Sequence, residues 1–209
     1  MRKLTILSAI AALGVAANAA ILIDQSPTTG DNAWGAIDYF PFYDDFTVGS
    51  PGWVVDKIIT HEYYGDAPAF GDVYTAEIWS APADLGGSML AKATSTDVTV
   101  GPVGPYGVNT AQANFTIGKD SSGWFLAPGT YWLSFSTGVK NGPGYYWDNS
   151  NVGAPNGSTT YVDGFGYSDS WAGQKFDMAF TMEGKVVPEP ATLLAIGAGL
   201  AALAARRRK

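Results

Sequence analysis

TAQANFTIG, residues 110–118, alternates polar and apolar side chains almost without a break. Ala111, Ala113, Phe115 and Ile117 fall on one side of an extended chain, and Thr110, Gln112, Asn114 and Thr116 on the other. Side chains of a strand alternate between two faces, whereas a helix repeats every three or four residues. The same period of two runs through KFDMAFTMEG, residues 175–184. There Phe176, Met178, Phe180 and Met182 oppose Asp177, Thr181 and Glu183. In GTYWLSFSTG, residues 129–138, Tyr131, Leu133 and Phe135 oppose Trp132, Ser134 and Ser136. Residues 53–65 (WVVDKIITHEYYG) and 72–81 (DVYTAEIWSA) are rich in β-branched and aromatic side chains, which suit a pleated surface. Glycine, proline and asparagine punctuate the intervals at Ser50-Pro51-Gly52, Gly86-Gly87, Pro128-Gly129, Asn141-Gly142-Pro143-Gly144 and Asn156-Gly157. Short strands at this spacing predict an all-β domain, an antiparallel β-sandwich or jelly roll, with a short hydrophobic helix at the C-terminus. Phe115, Ile117, Tyr131, Leu133, Phe135, Phe176, Met178 and Phe180 are the expected shared core.

Both ends of the chain differ from this middle. MRKLTILSAIAALGVAANAA, residues 1–20, has a basic start, an apolar stretch and an Ala17-Asn18-Ala19 site. That layout predicts a secretory signal peptide over 1–19, cut after Ala19. VVPEPATLLAIGAGLAALAARRRK, residues 186–209, carries no charge from Ala191 to Ala205 and closes on four basic residues. It is apolar all round, which suits lipid better than a half-solvated protein surface. A helix over those uncharged residues is about 22 Å long, against about 30 Å of hydrocarbon, so the span is marginal. The basic end should stay in the cytoplasm. The expected organisation is therefore a signal peptide over 1–19, an extracellular β-sandwich over 20–185 and a sorting or anchor segment over 186–209.

The Val-Pro-Glu-Pro-Ala step, the short Leu/Gly/Ala span and the terminal arginine cluster resemble the PEP-CTERM sorting signal. The resemblance covers about the last two dozen residues. It implies export by a bacterium, mostly Gram-negative species that make exopolysaccharide. It also implies transient insertion in the inner membrane. An exosortase-type membrane protease is then the partner that recognises Pro188, Glu189 and Pro190. The protein would end at the cell surface or in the extracellular matrix, with exopolysaccharide as a neighbour. The body more loosely resembles the β-sandwich regions that precede such anchors, through YDDFTV (43–48) and GTYWLSF (129–135).

Composition narrows what the body does. Between the two ends lie six lysines, no arginine and eighteen acids, a formal charge of −12. Such a surface repels phosphate backbones, so nucleic acid is excluded as a partner. There is no cysteine, which removes disulfides, thiol chemistry and zinc fingers. His61 is the only histidine, and no nucleophile, phosphate-loop or metalloprotease motif accompanies it.

The stretch GYYWDNSN, residues 144–151, is a candidate site. If it is extended, Tyr145, Tyr146 and Trp147 cannot all enter one core. Rings beside Asp148 and Asn149 offer a sugar both stacking and hydrogen bonds. The alternative is a strand whose aromatics split between core and rim, with Asp148 and Asn149 forming the turn. Trp132, on the polar face of its strand, is a second aromatic candidate. Asp163 and Asp169 could join Asp148 and Asn151 around calcium, a cation that takes oxygen ligands. Alternatively they make turns, as do Asp44 and Asp45 before a strand. A glycosidase needs two carboxylates across a cleft, and no pair among eighteen stands out. Three functions follow in order: a structural or adhesive surface protein that is not an enzyme, a calcium-assisted carbohydrate-binding module, and a polysaccharide hydrolase or lyase.

Overall fold

The alternation in residues 110–118 is realised as strand. The computed structural model describes residues 19–27, 33–36, 42–64, 73–103, 109–117, 123–137, 145–150, 161–162, 177–188 and 190–206. Fourteen strands form among them. They are β1 (Ala20–Asp24), β2 (Ala33–Ala36), β3 (Phe42–Val48), β4 (Trp53–Tyr64), β5 (Tyr74–Trp79), β6 (Met89–Ser95) and β7 (Val98–Val103). Then follow β8 (Asn109–Thr116), β9 (Trp124–Leu126), β10 (Gly129–Thr137), β11 (Tyr145–Ser150), β12 (Tyr161–Val162), β13 (Asp177–Met178) and β14 (Phe180–Val186). One α-helix, α1, runs over Pro190–Arg206.

The strands form two antiparallel sheets. One has nine strands and the path β1-β14-β4-β11-β13, with β2, β7, β8 and β9 branching from it. The other has five, in the order β12-β3-β10-β5-β6. The twelve-residue β4 is the spine of the larger sheet. β14 pairs with it from Trp53 to Thr60, and β11 takes over that edge from Glu62 to Tyr64. On its opposite edge β9 covers Trp53 to Val55, and β8 covers Lys57 to Tyr64.

The inner faces meet in one core. Phe115, Phe135, Phe180, Ile58, Ile78 and Leu133 are fully enclosed. Each such side chain contributes about 1.5–3 kcal/mol by leaving water. Phe46 of β3 joins the sheets: its ring stacks on Trp53 at 6.4 Å and meets Phe180 edge-on at 6.1 Å, both from the opposite sheet. Phe115 and Phe135 make a second edge-on contact across the sandwich at 6.0 Å. Of the eight expected core residues, six are buried in this cluster and Tyr131 packs against it half-buried. Phe176 lies outside the described residues.

The polar faces are less uniform than the alternation implies. Thr181 is buried, because the end of β1 covers it and its hydroxyl donates to Asp24 Oδ1 at 3.3 Å. Ser134 is buried too, although it stands on the polar face of its strand. Asp44 and Asp45 neither form a turn nor precede the strand. They sit inside β3, and Asp44 is fully buried on the inner face. The backbone N–H of Met178 donates to Asp44 Oδ2 at 3.0 Å, tying β13 to the smaller sheet. A buried carboxylate needs such donors to offset its desolvation.

Two glycines are required by geometry. Gly52 has φ +115°, and a Cβ there would approach the Leu126 carbonyl oxygen to 2.8 Å. Gly184 sits at the bulge of β14, where a Cβ would come within 2.0 Å of the Val54 carbonyl oxygen.

Candidate functional site

β14 delivers the chain to the C-terminal segment. Its last residue, Val186, pairs with Trp53, and the next N–H, from Val187, donates to the Gly52 carbonyl at 2.9 Å. Val187 and the exposed Pro188 are non-helical, and α1 begins at Pro190. Proline suits this first helical position, where the missing N–H would have had no partner in any case. Glu189 lies outside the described residues. The Pro-Glu-Pro step thus separates a clamped strand from a helix.

α1 is apolar in sequence, and its residues from Gly197 onward are mostly exposed. Gly197, Ala198, Gly199, Ala201, Ala202 and Leu203 are exposed, Leu203 at 59%. It has 17 residues, and among the described residues no helix is long and apolar enough to cross a membrane.

The run Tyr145–Ser150 is extended throughout as β11. Its backbone pairs Tyr145, Tyr146 and Trp147 with Tyr64, Tyr63 and Glu62 of β4. On the other edge Tyr146, Trp147 and Asp148 pair with Ala36, Trp34 and Ala33 of β2. Asn149 and Ser150 continue into pairing with Met178 and Asp177. Asp148 and Asn149 are therefore strand residues, and the expectation that they form the turn is corrected. Asn151, Asp163 and Asp169, expected with Asp148 as metal candidates, lie outside the described residues. So does Ala17, whereas Ala19 is exposed just before β1. Among the described residues no three acidic, histidine or cysteine side chains converge to hold a metal ion.

The outer face of the smaller sheet carries an aromatic cluster that the alternation only hinted at through Trp132. Trp132 of β10 stands opposite Trp79 of β5 and Asp45 of β3. Tyr43 and Trp79 meet edge-on at 5.9 Å, from strands on either side of β10. The Trp79 indole N–H donates to Glu77 Oε2 at 3.1 Å, and Lys92 Nζ lies 2.8 Å from Glu77 Oε1. Trp79 is thereby oriented. Its place in the cluster was hidden because its own strand places it four residues before Ala83, next to turn residues, with no aromatic neighbour in sequence.

His61 lies on the outer face of β4, within 3.4 Å of the Gln112 amide nitrogen. Burial pushes its pKa down to about 4, against a smaller upward pull from Asp24. Asp24 is itself held below the usual carboxylate range, first by the Ser26 hydroxyl and then by the Ser26 N–H. Ser26 and Asp24 thus serve one another. The serine hydroxyl donates to the Asp24 carboxylate.

Residues 186–209 match the PEP-CTERM protein-sorting motif, which marks an exported protein for exosortase-dependent sorting. The match begins where β14 ends. No curated protein matches the chain.

Proposed function

We propose that the protein is a structural or adhesive component of the cell surface or extracellular matrix, exported by its N-terminal signal and held briefly at the inner membrane by α1. An exosortase-type protease then cuts near Pro188–Pro190 and releases the sandwich. One observation carries this reading: the sorting motif starts where the sheet ends, so the tail can be removed without taking a strand. The short apolar helix supports a temporary anchor, since a marginal span holds weakly. Intact mass of the exported protein from its native host is the test. The expected mass lacks Ala191–Lys209. A mass that includes them makes the tail a permanent anchor. Replacing Pro188, Glu189 and Pro190 by alanine should leave the full-length form in the inner membrane.

A second reading, a calcium-assisted carbohydrate-binding module, gains support from the extended course of Tyr145–Asn149, since a strand presents residues to both of its faces. Exopolysaccharide is its natural ligand class. Retention on a glycan panel, with and without calcium, separates the two readings. Under the second, Trp147→Ala loses retention while the melting transition stays cooperative. Turnover of the same glycans would instead reveal a hydrolase or lyase.

A further inference from the structure

The exposed large apolar side chains of the sandwich are unevenly placed. β4 starts, and β14 and β9 finish, at one end of the larger sheet, where Trp53 pairs with Val186 and Leu126. The turn over 49–52 brings β3 to the same end, and residues 127–128 send β10 away from it. Ile21, Leu85, Met89, Leu90, Phe125 and Val186 are exposed by 48–62%, and each lies on an element near this end. Phe125 pairs with Val54, Ile21 with Glu183 and Met89 with Trp79, while Leu85 sits in the turn between β5 and β6. The two other exposed large apolar residues described in the sandwich, Val73 and Val100, lie toward the opposite end. Such a collection at one pole marks a surface that is covered in use.

This pole is also where the chain leaves for α1. Val187 is clamped to Gly52, so only Pro188 and Glu189 separate the sandwich from the helix at Pro190. Three backbone steps reach about 10–11 Å when fully extended. With α1 in a bilayer, this end cannot stand further from the helix start than that. The body as a whole is acidic, with Asp84 in the turn between β5 and β6 and Glu189 in the tether, but two lysines at this end offset two of its acids. Lys185 pairs with Asp56 at 3.2 Å, and Lys57 stands opposite Glu183.

We propose that this pole is a lipid-contacting surface, seated in the headgroup region for as long as α1 is inserted. The inference rests on the anchoring role given to α1 above. The partner is the bilayer itself: the tether is too short for anything bulky to intervene, and the apolar side chains are what an interfacial region accepts. Contact would hold the Pro188–Pro190 step at the membrane surface, within reach of a membrane-embedded protease.

The chain has no cysteine, so single cysteines can carry a fluorescent label without background. The full chain is placed in vesicles of phosphatidylethanolamine and phosphatidylglycerol that contain a lipid with a nitroxide headgroup. Labels go at Phe125→Cys, Leu85→Cys, Val73→Cys, Val100→Cys and Leu203→Cys, all exposed positions. The proposal expects quenching at 125 and 85 to exceed that at 73 and 100 by about twofold or more, with 203 also quenched. Quenching at 203 with equal, weak signals at the other four overturns the lipid contact and leaves the anchor standing. No quenching at 203 removes the anchor and the lipid contact together.

Discussion

β14 and α1 are neighbours in sequence, both rich in apolar residues, and they meet opposite fates. In β14, Phe180 and Met182 sink into the core while Glu183 and Lys185 stay outside. In α1, the residues described from Gly197 to Arg206 are exposed, Leu203 among them, except the half-buried Leu200 and Ala204. Arrangement, more than apolar content, therefore governs what an apolar segment packs against. A period of two offers one face to a facing sheet. A segment that is apolar all round gives a sandwich no single face to select.

The strongest way to break the comparison is to cut into the core. Phe135→Ala should cost about 3–5 kcal/mol, because the ring is fully enclosed between Tyr74 and Phe115. Denaturant unfolding measures it, and a loss below about 1 kcal/mol would mean that the two sheets do not pack tightly there. A smaller effect comes from His61. Its folded pKa is about 4 against 6.5 when unfolded, so the folded state holds the imidazole neutral. Unfolding then takes up a proton below pH 6.5. The stability is therefore fully present above that pH and is lost as pH falls toward 4. Allowing for partial solvent access, the loss should be about 2–3 kcal/mol. His61→Gln should flatten the stability profile within this window while leaving the carboxylate-driven loss at lower pH.

Weaker still is the ion pair on the outer face. Glu77→Gln should cost under about 1 kcal/mol, since Lys92 is 49% exposed. Glu77→Ala removes the acceptor of the Trp79 indole N–H as well and should loosen that ring, which tryptophan fluorescence would report as a shift. The smallest effect sharpens the comparison from the helix side. Leu203→Ser should leave the melting transition of the sandwich within about 0.5 kcal/mol. A drop as large as that of a core substitution would show that α1 packs on the body and that the two segments share a fate after all.

The strand faces were legible in the sequence wherever both faces keep a consistent character, as in residues 110–118. They became unreliable where polar residues of the outer face are buried. Thr181 and Ser134 read as solvated by their spacing, and only the neighbours that pair from far along the chain bury them. Asp44, on the inner face, was misread because its donor, Met178 N–H, lies 134 residues away. The role of β4 as a spine with two neighbours along each edge carries no local signal. The sorting segment was fully legible, because its recognition depends on contiguous residues and not on packing. The outer aromatic face was half legible. Trp132 broke the polar pattern of its strand, but Tyr43 and Trp79 reach it only through pairing across β10.

The course of β14 also has a mechanical consequence. It lies between β1 and β4, hydrogen-bonded on both sides, and it leads directly to the C-terminal tether. If the far pole of the sandwich is pulled while the tether is held, the load runs along this strand and shears both ladders at once. Bonds loaded side by side must fail together, whereas an end strand peeled sideways would lose them one after another. The fold is thus built to transmit tension along its length, and a pulling experiment through Val187 should yield late and abruptly.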